Sequence, residues 1–129
     1  MTRARVLVVD DEPAIRELLK LHLANAGYDV RVAEDAIVAE RALREAPPDL
    51  VVVDVALPYR GGLEFVAGLS ADEALAGLPV IFITGHEALA RGARALGAGC
   101  LQKPFAVDAL LEMVGLNLRR ADRDLGEQR

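Results

Sequence analysis

The sequence predicts an α/β fold class, a single three-layer domain with helices on both faces of a parallel sheet, and three observations carry that prediction. Val6-Leu7-Val8-Val9, Leu50-Val51-Val52-Val53 and Val80-Ile81-Phe82-Ile83 are short, unbroken apolar runs rich in β-branched residues. Runs of that length and composition suit strands covered on both faces. The stretches between them carry apolar residues at helical spacing. Crossovers that contain a helix force parallel pairing and right-handed connections.

Element by element, Val6 to Val9 predicts the first strand. Pro13 stands where a helix would begin, and Ile15, Leu18, Leu19, Leu23 and Ala26 follow at helical spacing until Gly27 stops it. Val30 and Val32 predict a second, alternating strand. Ala36 to Ala46 reads as a second helix, ended by Pro47-Pro48. Leu50 to Val53 runs as a third strand into Asp54, and a loop with Pro58, Gly61 and Gly62 leads to a short helix around Leu63 to Leu69. Pro79 introduces the fourth strand, Val80 to Ile83. A helix from about Glu87 to Leu96, a short strand near Cys100 to Gln102 and a last helix from Val107 to about Arg120 complete five β-α units. Residues 1–120 are thus expected to form the domain, with 121–129 a frayed end or linker.

Composition narrows the function classes. The chain has 129 residues, 53% of them apolar and 27% charged, enough to close a hydrophobic core. Aromatics are 4% and Trp is absent, so the core has to come from Val, Leu, Ile and Ala. The net charge of −5 argues against direct nucleic-acid binding. One cysteine, Cys100, excludes an internal disulfide and a multi-cysteine zinc site, and it reads as a small core residue. No apolar run has the length of a membrane span and no secretory leader precedes the first strand, so a cytoplasmic location away from membranes is expected.

Sites in such folds gather at the carboxyl ends of the strands. This sequence puts Asp10 and Asp11, Asp54, Thr84 and Lys103 there. One Asp after a strand is ordinarily a turn former or a helix cap, so the combination carries the argument. Crowded carboxylates repel one another unless a hard cation joins them, and Mg²⁺ takes a few carboxylates together with waters and phosphate oxygens. A carboxylate can also attack phosphorus. Phosphoryl transfer needs in-line positioning and positive charge on the equatorial oxygens, which Lys103 and a cation can supply. Thr84 adds a hydroxyl.

Val8-Val9-Asp10-Asp11-Glu12, Val53-Asp54 with Leu57-Pro58 and Gly62, Ile83-Thr84-Gly85-His86 and Lys103-Pro104-Phe105 resemble the signature blocks of response-regulator receiver domains, over about residues 4 to 120. The resemblance implies a flavodoxin-like sheet in the order 2-1-3-4-5, an order for which a receiver is a standing example. It implies Asp54 as phosphoacceptor, Asp11 and Asp54 as direct Mg²⁺ ligands, Asp10 acting through water, and the backbone carbonyl of Ala56 as a further ligand. It implies Thr84 as switch hydroxyl, Lys103 as phosphate-binding cation, and a cis Lys103-Pro104 peptide. The partners implied are a histidine kinase or histidine phosphotransfer protein and an effector domain or downstream protein; a homodimer through the last helices is compatible with it.

The sequence departs from that family in one region. The stretch from Thr84 to Lys103 is shorter than usual and lacks the aromatic residue that normally precedes the lysine by three places: by simple counting Cys100 stands there, or the aromatic is deleted with its neighbours. The aromatic normally turns inward when the threonine moves, so the readout here must differ. His86, near the rim at a helix start, reads either as a position that tunes rate or as an exposed or capping residue, His22 as packing, and Glu12 as part of the first helix cap that could also face the metal pocket. Beside the phosphorylated switch stand three other readings: a docking module independent of phosphorylation, a small phosphatase with Asp54 as nucleophile, and a phosphate sink within a relay that lacks an output. The second would need a substrate pocket or cap domain that the sequence does not offer.

Overall fold

The computed structural model describes residues 3–58, 60–95 and 99–127. The elements run β1 (Arg5–Val9), α1 (Pro13–Asn25), β2 (Asp29–Ala33), α2 (Ala36–Glu45), β3 (Leu50–Asp54), α3 (Gly62–Ala71), β4 (Val80–Thr84), α4 (Glu87–Ala95), β5 (Gly99–Gln102) and α5 (Val107–Glu127). The five strands form one parallel sheet in the order β2-β1-β3-β4-β5.

Burial follows from that order. β3 and β4 lie inside the sheet and are buried along their whole length, whereas the edge strands β2 and β5 are partly exposed. That is why the central strands read as continuous apolar runs and β2 reads as an alternation. The two-residue repeat of a strand sends neighbours to opposite faces. Leu7, Val9, Val51, Val53 and Phe82 therefore pack on one side with Ala39, Leu43 and Phe65 of α2 and α3. Val6, Val8, Val52, Ile81 and Ile83 pack on the other with Leu19 and Leu23 of α1 and Leu110 and Val114 of α5.

Local signals set the element ends. Pro13 opens α1, and Gly27 follows its end with a φ of 99°, a conformation that suits glycine. Asp35 caps α2 by accepting a 2.9 Å hydrogen bond from the Val38 N–H. The observed α3 is longer than expected at both ends. Helix α5 continues to Glu127, beyond the Arg120 expected from apolar spacing. The predicted end of α4 at Leu96 lies outside the described residues. Among the described residues no helix is long and apolar enough to cross a membrane.

Candidate functional site

The carboxyl ends of β1, β3, β4 and β5 deliver their polar residues to one rim. Asp10 follows β1 and is completely buried. Its Oδ1 accepts from the Glu12 N–H at 2.8 Å, closing a tight turn, and its backbone carbonyl accepts from Arg16 Nη1 at 2.9 Å. Asp54 ends β3 and is also buried, with Oδ1 accepting from the Ala56 N–H at 2.9 Å.

Lys103 bridges the two. Its Nζ donates to Asp54 Oδ2 at 3.0 Å and Asp10 Oδ2 at 3.3 Å, and lies 3.5 Å from Glu12 Oε1. The Lys103 N–H bonds the Thr84 carbonyl at 2.7 Å, which anchors the lysine to the end of β4. The Lys103-Pro104 peptide that follows is cis, as the resemblance implies.

Burial pushes the Asp10 carboxyl above its ordinary range, because the charged form loses water; the Glu12 N–H and the Lys103 ammonium oppose that push. Burial alone would lower the Lys103 pKa. The hydrogen bond to Asp54 and the charges of Asp10 and Asp54 outweigh it, so the ammonium is held above its ordinary range.

Thr84 is fully buried at the end of β4. Its Oγ1 accepts from the His86 N–H at 3.0 Å and lies 3.5 Å from the His86 carbonyl. The His86 side chain is exposed, while its carbonyl accepts from the Leu89 and Ala90 N–H groups in the first turn of α4. The hydroxyl is therefore tied through backbone to the start of that helix.

The loop after Asp54 folds back on itself. The Gly62 N–H donates to the Val55 carbonyl at 2.8 Å, and a Cβ at Gly62 would fall 2.3 Å from the Asp54 carbonyl oxygen. Only glycine lets α3 start this close to the acceptor.

Asp10, Asp54, Thr84 and Lys103 thus share one rim, and Ala56 is exposed beside it. Among the described residues, the carboxylates whose oxygens come within 4.8 Å of one another are those of Asp10, Glu12 and Asp54; exposed Asp11 is not in that group. Glu12 occupies the N-cap position of α1, as expected, but caps only through its backbone carbonyl, which accepts from the Arg16 N–H, and makes no side-chain cap bond. Its length carries the carboxylate past the helix N–H groups towards Lys103. Sequence reading named Glu12 as a neighbour of the pocket without its role, and it missed Arg16, because the helical pattern of α1 carries no signal that this guanidinium turns back to the Asp10 carbonyl. The set is all oxygen and hard, with one ammonium among three carboxylates, and suits a divalent cation such as Mg²⁺.

Cys100 pairs with Phe82 across β4 and β5 and is half-buried rather than a full core residue. Burial raises its thiol pKa, against the opposing charge of Arg94. His22 is half-buried on α1, facing a shallow apolar groove with Ile15, Leu18, Phe105 and Leu110.

Comparison with known proteins agrees with this geometry. Residues 6–115 match the family model described as the response regulator receiver domain. The DNA-binding dual master transcriptional regulator RpaA of Synechocystis is 36% identical over 122 residues, covering 92% of this chain and 51% of that protein. Response regulator MprA of a Mycobacterium species is 37% identical over 127 residues, covering 95% of this chain and 54% of that protein. This chain therefore spans about half the length of the curated relatives it matches. The structure of chemotaxis response regulator CheY4 of Vibrio cholerae superposes with a TM-score of 0.83 at 32% identity, covering 90% of this chain and 99% of that one. A five-stranded sheet in this order, the acidic rim and a family match over most of the length lead to one conclusion: the chain belongs to the receiver domain family of two-component response regulators.

Proposed function

We propose that Asp54 accepts a phosphoryl group from a histidine kinase or histidine phosphotransfer protein and that the modified domain acts as a conformational switch. The observation that carries this reading is the Asp54 carboxylate, buried at the end of β3 with Lys103 Nζ 3.0 Å from Oδ2. The Ala56 N–H holds the carboxylate in one orientation for in-line attack on phosphorus. The new bond joins an Asp54 oxygen to phosphorus as the bond from phosphorus to the donor nitrogen breaks, and the electron pair leaves with the donor imidazole.

Lys103 then transfers its hydrogen bond from the carboxylate to a phosphoryl oxygen. By the family resemblance, Asp11, Asp54 and the Ala56 carbonyl would hold Mg²⁺, which would supply charge neutralisation on the transferred group. By the same resemblance Asp10 would act on the cation through a bound water, its carboxylate held in place by the Glu12 N–H and Lys103. Later attack by water on phosphorus breaks its bond to the Asp54 oxygen, releasing inorganic phosphate and returning the carboxylate, so the domain has self-directed transfer and dephosphorylation chemistry without turning over an external substrate.

Thr84 reads the modification. Turning its hydroxyl from the His86 carbonyl to the phosphoryl group draws on the β4–α4 junction, and α4 moves with it. The donor's approach is served by the apolar groove beside Lys103, formed by Ile15, Leu18 and Phe105, which an amphipathic helix of the donor can cover. The relatives' longer chains favour an effector outside this stretch, and RpaA is DNA-binding by name. This reading puts the domain in the cytoplasm with its donor, and leaves Leu116, exposed on α5, for a phosphorylation-linked dimer.

One observation favours a second reading, a docking module that signals without phosphorylation. Cys100 occupies the β5 position of the family's switch aromatic, so that part of the relay has no side chain to turn. Intact mass after incubation with acetyl phosphate and Mg²⁺, beside Asp54→Asn, separates the two. A single phosphoryl adduct, dependent on Mg²⁺ and lost in the variant, is expected. Absence of an adduct from the folded protein with both acetyl phosphate and a competent phosphodonor protein would favour the docking module.

A further inference from the structure

Glu12 is a poor choice for a helix cap, a position that favours short side chains able to reach back to the helix N–H groups. Its carboxylate makes no such bond and turns to the rim. Oε1 lies 3.5 Å from Lys103 Nζ, in a cluster with Asp10 and Asp54 whose oxygens come within 4.8 Å of one another. The side chain is 60% exposed, so it stands at the mouth of the site while Asp10 forms the floor. The backbone beneath it is held: the Glu12 N–H is bound by Asp10 Oδ1, the Glu12 carbonyl by the Arg16 N–H, and the Asp10 carbonyl by the Arg16 guanidinium.

We propose that Glu12 is a positioning residue of the acceptor site, holding the Lys103 ammonium on the β1 side of the rim and placing a negative charge at the mouth. Two consequences of opposite sign follow. A divalent cation is bound more tightly, and a small anionic phosphodonor enters less readily, because one charge attracts the first and repels the second. The hold on Lys103 acts in the same direction on the donor, since an ammonium engaged by Glu12 is less available to phosphoryl oxygens. The inference rests on the phosphoacceptor reading of Asp54, and the test separates the two.

The variant is Glu12→Gln in the full chain, with Glu17→Gln, an exposed α1 carboxylate outside the cluster, as control. Mn²⁺ binding is followed by the electron paramagnetic resonance of the free ion, and adduct formation from acetyl phosphate by intact mass at saturating Mn²⁺. Glu12→Gln should raise the Mn²⁺ Kd about 3- to 10-fold, an effect that shrinks with added salt. The acetyl phosphate concentration for half-maximal rate should fall by roughly 3-fold or more for the same electrostatic reason. Glu17→Gln should change neither, and the thermal midpoint should be the same in all three proteins. A merely structural role would move the two constants together, so shifts of like sign, or no shift in either, overturn the proposal. An adduct that survives Asp54→Asn, with Mn²⁺ binding still weakened by Glu12→Gln, would refute the phosphoacceptor reading alone. An Asp54-dependent adduct with Glu12→Gln indistinguishable from wild type would refute the role of Glu12 alone.

Discussion

Gly62→Ala tests how closely the acceptor loop is built. A methyl group there would lie 2.3 Å from the Asp54 carbonyl oxygen, 2.8 Å from Val55 Cα and 3.1 Å from the Asp54 carbonyl carbon. Carbon atoms pack at roughly 3.5–4.0 Å, so the start of α3 has to retreat by about 1 Å. All three obstructing atoms are backbone and cannot swing aside. The retreat strains or breaks the 2.8 Å bond from the Gly62 N–H to the Val55 carbonyl, worth about 1 kcal/mol. Overpacking adds about 1–3 kcal/mol, and the better helix propensity of alanine returns less than about 1 kcal/mol. The net loss is about 1–4 kcal/mol, or roughly 4–15 °C in thermal midpoint for a domain of this size.

Circular dichroism at 222 nm during urea and thermal unfolding measures it, there being no Trp to follow. Gly61→Ala is the internal control, since its Cβ would meet nothing nearer than the Val55 oxygen at 3.8 Å. Because the loop carries Ala56, whose N–H orients Asp54, phosphorylation by acetyl phosphate should also slow, by about 10-fold or more for a displacement near 1 Å. If Gly62→Ala proves as stable and as reactive as Gly61→Ala, the close-approach argument is wrong.

Gly68→Ala should behave in the opposite way. Its Cβ would meet Arg60 Nη2 at 2.6 Å, the end of a flexible side chain that can move, and alanine is better than glycine inside α3 by about 1 kcal/mol, so the thermal midpoint should rise by a few degrees in the same unfolding assay. Lys103→Met leaves the buried carboxylates of Asp10 and Asp54 without their ammonium and should cost about 1–3 kcal/mol at neutral pH. The Lys103 pKa is raised above 10.5 on folding, so its stabilisation is complete below 10.5 and declines as pH rises through the folded value. The stability gap between wild type and Lys103→Met, from urea titrations, should therefore be constant from pH 7 to 10 and close above 10.5; a gap already closing at pH 8 contradicts the ion cluster.

The sequence by itself determined the fold class and most of the rim. β-branched runs such as Leu50 to Val53 are local signals, written within a few residues, and they become buried central strands because nothing else can hide both of their faces. Strand ends follow from the runs, so Asp10, Asp54, Thr84 and Lys103 could be assigned to one rim before any distance was known. The order of the strands was legible only through the family's signature blocks, because periodicity does not say that β1 pairs with both β2 and β3.

Tertiary structure decided what depends on distances between residues far apart in the chain. Lys103 lies 49 positions from Asp54, and only the folded sheet brings Nζ to 3.0 Å from its carboxylate. Asp11 and Glu12 are equally acidic and adjacent in sequence. The turn closed by Asp10 Oδ1 and the bond from Arg16 to the Asp10 carbonyl hold the loop in which Glu12, and not Asp11, joins the cluster. Gly62 looked like one of two loop glycines until the fold set its Cα against the Asp54 carbonyl. Secondary structure is chosen by short-range patterns that any stretch of sequence displays. Side-chain direction and close approach are chosen by the packing of elements against one another, which no single stretch contains.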